Sequence, residues 1–252
     1  MWNSCLSSNV DCINPPMSLR PAVIIPVYNH GLQIAEVISQ ARRLDLPIFV
    51  VNDGSTDVTE EVLASISGIT ILRHSVNQGK GAAILTGMAA ALEDNCNWAI
   101  TLDGDGQHNP VDARNLLQVA ETSGRCIVVG CRQGMDESRN VPWTSRFGRG
   151  FSNFWVWASG GPWVADSQSG FRLYPLPEIL QLEITARRYQ FEVEVLVAAR
   201  QKGITTREAP VSVVYQPRGE RVSHFRPWLD FHRNSATFCR LIFARIFRLF
   251  RL

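Results

Sequence analysis

The sequence predicts an α/β fold, a mostly parallel sheet with helices on both faces, followed by an amphipathic C-terminal helix. Three observations carry that prediction. Short β-branched apolar runs alternate with segments of helical spacing from Pro21 to Arg132. Three of those runs end in polar motifs, at Tyr28-Asn29, Asn52-Asp53-Gly54-Ser55 and Asp103-Gly104-Asp105. Open parallel sheets bind ligands outside the carboxyl ends of their strands, so polar strand ends are where a site belongs. Lastly, the terminal stretch FHRNSATFCRLIFARIFRLFRL separates its residues by face when wound at about 100° per residue. Phe238, Ile242, Ile246, Leu249 and Phe250 fall on one side, and Arg233, Arg240, Arg248 and Arg251 on the other.

The elements follow in order. AVIIPVYN reads as a strand and GLQIAEVISQARRL as a helix; PIFVVND and TDVTEEVLASI repeat the pair. GITILRH is a strand, KGAAILTGMAAALEDN an alanine-rich helix and WAITLDGD a strand. NPVDARNLLQVAETS is a helix with proline near its start, and RCIVVGCR a further strand. After about residue 134 the alternation breaks down. Arginines there mix with Trp143, Phe147, Phe151, Phe154, Trp155, Trp157 and Trp163. DSQSGFRLYP, a helix around QFEVEVLVAARQKG, a strand EAPVSVVYQ and a loop PRGERVSHFRP come next. The expected organisation is a disordered leader over 1–20, one α/β domain over 21–228 and the amphipathic helix over 229–252.

The chain has 252 residues, 45% of them hydrophobic and 19% charged, which suits one domain with a full core. A net charge of +2 offers no global attraction for nucleic acid, and none is expected as a partner. Cys5, Cys12, Cys96, Cys126, Cys131 and Cys239 form no CxxC pair, which points to a reducing compartment. The leader lacks a basic segment followed by an apolar one, so it does not read as a secretory signal. No stretch has the roughly 18–20 apolar residues of a spanning helix. The expected location is cytoplasmic and peripheral, with the terminal helix and the aromatic segment 143–163 on a membrane surface.

The motif DGDGQH is the most specific chemical signal. In an extended chain, Asp103 and Asp105 project to one face, where like charges repel unless a cation lies between them. The expectation is a Mg2+ or Mn2+ site made by Asp103, Asp105 and Gln107, with the remaining positions filled by phosphate oxygens. His108 is expected to be structural. Asp53 has two readings, a carboxylate for a base or ribose, or part of a turn and cap cluster with Ser55 and Asp57. NQGKGAA places Lys80 at a helix start, either near a nucleotide or simply at the surface. It lacks the full GxxxxGK[ST] spacing, which argues against a P-loop. Arg132, Arg146, Arg149, Arg218, Arg221 and Arg226 form a late basic cluster suited to phosphate.

From about Pro21 to Tyr215, the chain resembles family 2 glycosyltransferases of the GT-A (Rossmann-like) fold. IPVYNH, VVNDGSTD, NQGKGAA, DGDGQH and DSQSGFR carry the likeness. Within that family it is most similar to dolichol-phosphate mannose synthases and bacterial polyprenyl-phosphate relatives. The resemblance implies a nucleotide-sugar donor, such as GDP-mannose or a UDP-hexose, and a lipid-linked acceptor. It implies donor contacts at Pro26, Tyr28, Asn29, Asp53, Lys80, Asp103 and Arg218. Arg132, Arg146, Ser169 and Gly170 would form the acceptor side, and Asp103 and Asp105 the catalytic centre. For a hydroxyl acceptor, Asp166 is the first candidate base and Glu192 the second. The ending SHFRPWLDFHRNS differs from that branch and leaves the acceptor open. A nucleotidyltransferase would need a glycine-rich opening that IPVYNHGLQ does not supply. A non-catalytic nucleotide-binding adaptor would have little use for the paired aspartates.

Overall fold

The structure, a computed structural model, describes residues 18–133, 143–212 and 227–249, with side chains except those of 143–147, 227–233 and 248–249. Seven strands form one sheet: β1 (Pro21–Val27), β2 (Ile48–Asn52), β3 (Thr70–Arg73), β4 (Trp98–Thr101), β5 (Cys126–Arg132), β6 (Arg172–Pro175) and β7 (Thr205–Val211). Their order is β3-β2-β1-β4-β6-β5-β7. Every pairing is parallel except those of β6, which runs antiparallel to both β4 and β5.

Alternation along the strands explains why the sheet is covered twice. On β1, Val23, Ile25 and Val27 join one core cluster while Ala22 and Ile24 join the other. The first layer is built by α1 (Gly31–Ala41), α2 (Thr59–Ala64) and α4 (Ala113–Ser123), which supply Ile34, Ile38, Leu63 and Leu116. The second holds α3 (Lys80–Glu93), α5 (Trp143–Ala158), α6 (Phe191–Gln201) and α7 (Pro227–Leu249), supplying Ile84, Met88, Val156, Leu196 and Phe238.

Three elements differ from expectation. The aromatic segment after residue 142 is largely a helix, α5, whose Val156 faces the core and whose Trp155 meets Phe238 of α7 at 6.3 Å. Arg172–Pro175 of DSQSGFRLYP form the antiparallel strand β6, and β7 starts at Thr205, ahead of its expected start. Residues 213–226, including the rest of EAPVSVVYQ and Arg218, Arg221 and Arg226, lie outside the described residues.

The strand before DGDGQH also ends sooner than its pattern suggests. β4 stops at Thr101, and residues 104–106 turn, with Gly106 at φ +72°. Asp103 and Asp105 therefore sit in a strand-end loop, not at alternate positions of an extended strand. Leu102 N still donates to Ile24 O at 3.0 Å, so the departure begins right at Asp103.

The terminal helix packs on the core along one part of its surface. Phe238 and Leu241 enter the core, and Arg240 pairs with the buried Glu194 at 2.8 Å. Arg245 Nη1 donates to Ala158 O at the end of α5. Phe243, Ile246 and Phe247 stay exposed, as do Phe154, Trp157 and Trp163 on and after α5.

Candidate active site

The carboxyl ends of β1, β2 and β4 gather on one side of the sheet, together with the start of α3 and the loop 166–171. Asp53 organises that edge. Its carboxylate accepts from Gln78 N and Gly79 N, both at 2.8 Å, and faces His74 Nδ1 at 2.7 Å. His74 Nε2 in turn lies 3.0 Å from Thr86 Oγ1 of α3. Asp53 is only 2% exposed. Both of its oxygens fasten the NQGK loop, so it acts on that loop from beneath. Gly54 makes the fit possible: it takes φ +70°, and an added Cβ would lie 2.6 Å from the Val76 carbonyl carbon.

The neighbouring polar residues do the capping that their types favour. Asp57 accepts from Gly31 N at the start of α1 and from Thr59 N at the start of α2. Asn29, at φ +53°, accepts from Thr56 N at 2.7 Å, and its own N–H donates to Ser55 Oγ. Pro26, the residue before the last of β1, lies beneath the DGDGQH loop, where an added Cβ on Gly104 would lie 3.3 Å from its carbonyl oxygen. Tyr28 is half-buried just beyond it.

The charged centre lies under that loop. Lys80 Nζ is 2.6 Å from Asp103 Oδ1 and 2.5 Å from Glu192 Oε1. Burial alone would lower the Lys80 pKa, but the two carboxylates hold it above its ordinary value. Burial likewise opposes ionisation of Asp103, and Lys80 more than offsets this, keeping that carboxyl below its usual range. Asp105 is pushed upward by burial and by the Asp103 charge. Asp105 Oδ1 accepts from Gln107 N at 3.1 Å, and Gln107 is nearly buried. His108 is buried against Phe171, with ring centroids 5.3 Å apart, and burial lowers its pKa.

The donor set suits a hard cation. Two carboxylates and one amide oxygen within five consecutive residues make an open set of oxygen ligands. Among the described residues no three His, Cys, Asp or Glu side chains converge into a closed cage. A metal held here would depend on ligand oxygens for the rest of its coordination.

The opposite wall is DSQSGFR. Arg132 makes a two-pronged pair with Asp166, Nε to Oδ2 at 2.6 Å and Nη2 to Oδ1 at 2.8 Å. Asp166 is fully buried. Arg172, also fully buried, donates to the carbonyls of Ser169, Ser167 and Glu192, each at 2.7 Å. That fork ties the loop to the start of α6. Thr101 Oγ1 donates to Gly170 O at 2.7 Å and anchors the loop to the end of β4. Ser169 Oγ is buried and has no hydrogen-bond partner among the described residues.

The structure thus brings Lys80, Asp103, Asp105, Gln107, Gly170 and Glu192 together, with Ser169 and the Arg132–Asp166 pair beside them. The side chain of Arg146 and the whole of Arg218 lie outside the described residues. Arg172 and His74 also shape this site, and the sequence pattern assigns neither a role. An arginine inside the otherwise apolar run GFRLYP was the available signal for the first, since a buried arginine must bind several acceptors. Nothing in GITILRH signals the second.

The sequence profile of glycosyl transferase family 2 matches residues 22–177, from β1 past the end of β6. The chain belongs to this family. Family membership agrees with the GT-A fold seen here and with the position of the charged centre at the strand ends. An uncharacterized protein of Methanocaldococcus jannaschii is 32% identical over 197 residues, covering 77% of this chain and 81% of that protein. The UDP-N-acetylglucosamine–dolichyl-phosphate N-acetylglucosaminyltransferase of Methanococcus voltae is 29% identical over 213 residues, covering 77% and 85%. Among solved structures, glucosyl-3-phosphoglycerate synthase from Mycobacterium tuberculosis, in complex with Mn2+, UDP and glucosyl-3-phosphoglycerate, superposes with a TM-score of 0.66. It is 20% identical and covers 90% of this chain and 80% of its own, which supports the fold.

Proposed function

We propose that this family 2 glycosyltransferase moves a sugar from a nucleoside-diphosphate donor to a polyprenyl or dolichyl phosphate, with inversion and with the help of Mg2+ or Mn2+. Asp103, Asp105 and Gln107 would hold the cation, which when bound offsets charge on the departing diphosphate. The acceptor oxygen forms its bond to the anomeric carbon as the bond to the diphosphate oxygen breaks. Pro26, Tyr28 and Asn29 line the nucleoside side of the edge, and Asp53 holds the NQGK loop against it. Arg132, Ser169 and Gly170 border the acceptor side.

One observation carries the choice of a phosphate acceptor. Both candidate bases are committed to cations: Asp166 has both oxygens on Arg132, and Glu192 is bonded to Lys80. A hydroxyl acceptor needs a base to take its proton, whereas a phosphate is already an anion at neutral pH and needs none. The N-acetylglucosaminyltransferase of Methanococcus voltae has dolichyl phosphate in its name, which supports the same acceptor class.

We also propose that the enzyme works at the cytoplasmic face of a membrane, as a peripheral protein. Among the described residues no helix is long and apolar enough to cross one. The exposed Phe154, Trp157, Trp163, Phe243 and Phe247 support a surface position.

Labelled nucleotide sugars (GDP-mannose, UDP-glucose, UDP-N-acetylglucosamine) offered with a polyprenyl phosphate and Mn2+ test this directly. The expected product is a glycosyl lipid phosphate, absent when the matching polyprenol replaces the phosphate. Transfer to the alcohol at an equal rate would refute the phosphate reading.

A further inference from the structure

Lys80 begins α3, yet its side chain turns inward, with 17% of it accessible. Three glycines fit tightly around the turn that aims it. Gly79 takes φ +102° with the Arg187 carbonyl oxygen 2.6 Å from where a Cβ would stand, and Gly81 lies as close to Phe191 Cβ. At Gly170 an added Cβ would lie 2.6 Å from Lys80 Nζ and 2.7 and 2.8 Å from the two Asp103 oxygens. The Tyr189 ring lies 5.9 Å from the ammonium. The lysine is thus fitted into a slot whose acceptors are Asp103 and Glu192.

The position raises a conflict. Asp103 Oδ1, an oxygen of the candidate metal set, already carries a cation at 2.6 Å. A divalent ion on the same carboxylate meets like-charge repulsion from the ammonium, in surroundings that screen it poorly. A diphosphate resolves the conflict, because its own negative charge can offset both cations at once.

We infer that Lys80 is a resident counter-cation that competes with the divalent ion for Asp103, so that the metal binds weakly to the protein alone and firmly only together with a nucleoside diphosphate. This rests on the reading of Asp103, Asp105 and Gln107 as the metal-holding set. Binding of either ligand strengthens binding of the other by the same factor, since the coupling is reciprocal. Glu192 tempers the competition by sharing the ammonium. Without it, Lys80 would be left to Asp103.

The test is a titration of the full chain with Mn2+, followed by the electron paramagnetic resonance signal of the free ion, with and without UDP or GDP. In the wild type the better of the two diphosphates is expected to tighten Mn2+ binding about tenfold or more. In Lys80→Met, Mn2+ alone is expected to bind about tenfold tighter, and the diphosphate to add correspondingly less. Lys80→Arg, which keeps the charge, should behave like the wild type. A folded Lys80→Met that binds Mn2+ no more tightly than the wild type overturns the inference and leaves the metal set standing. Should Lys80→Met not fold, Glu192→Gln carries the test: weaker binding of Mn2+ alone is expected, and unchanged binding overturns the inference. No saturable Mn2+ binding by the wild type under any condition overturns the metal set and the inference together.

Discussion

Gly170→Ala separates a structural role of the 166–171 loop from a chemical one. Gly170 does not have a positive φ, so alanine meets no backbone penalty there. The new methyl would stand 2.6 Å from Lys80 Nζ and 2.7 Å from Asp103 Oδ2, roughly 0.9 Å inside van der Waals contact at the closer atom. The atoms in the way are the ends of two side chains, which swing aside more readily than backbone does. Stability should therefore fall by no more than about 1–2 kcal/mol, the lower end of what overpacking costs. The Lys80–Asp103 contact, however, cannot keep its 2.6 Å length. A displacement of that size at a reacting centre costs about 10²-fold in rate. The assay pairs urea denaturation with sugar transfer under saturating donor. A folded variant with wild-type turnover would refute the claim that this contact belongs to the working site.

Other residues give equally direct outcomes. Arg172→Met leaves the buried carbonyls of Ser167, Ser169 and Glu192 without their donor and should cost about 3–5 kcal/mol by chemical denaturation. Asp53→Asn replaces one acceptor oxygen with a donor facing amide N–H groups. A loss of about 1–3 kcal/mol and weaker donor binding are expected, and donor affinity unchanged would show that the NQGK loop does not depend on it. Phe243→Ser with Phe247→Ser removes two exposed rings, so the melting curve should barely move while pelleting with anionic liposomes falls. Deleting residues 231–252 is a poorer probe of the membrane, since it also removes Phe238 and Leu241 from the core.

Much of this enzyme was legible in its sequence because period and punctuation agree through the first half. AVIIPV and IFVVN are short, β-branched and closed by polar residues, and each becomes a strand ending at the site. Beyond residue 134 the signals conflict. Trp155 and Phe154 in α5 look alike in sequence, yet one meets Phe238 and the other faces outward, a difference decided by where α7 lies. β6 is only four residues long and antiparallel, so RLYP has neither the length nor the following helix that marks a parallel strand. At the site, residue types pointed to polar groups that the structure gathers at the strand ends, but not to what each one binds. Asp53 reads either as a ligand carboxylate or as part of a turn and cap cluster, and its oxygens hold the NQGK loop; Asp166 reads as a base for a hydroxyl acceptor, and it pairs with Arg132. Such pairings join residues far apart in sequence, and local pattern carries no record of them.

In the proposed mechanism Asp103, Asp105 and Gln107 join a divalent cation to a nucleoside-diphosphate sugar. Calorimetric titration with GDP-mannose, UDP-glucose and UDP-N-acetylglucosamine, with Mn2+ and with chelator, tests it on the wild type and on Asp105→Ala. The predicted result is saturable binding of one donor that needs Mn2+ and disappears in the folded variant. Binding that persists in chelator and ignores the loss of Asp105, or no binding of any donor, would contradict it.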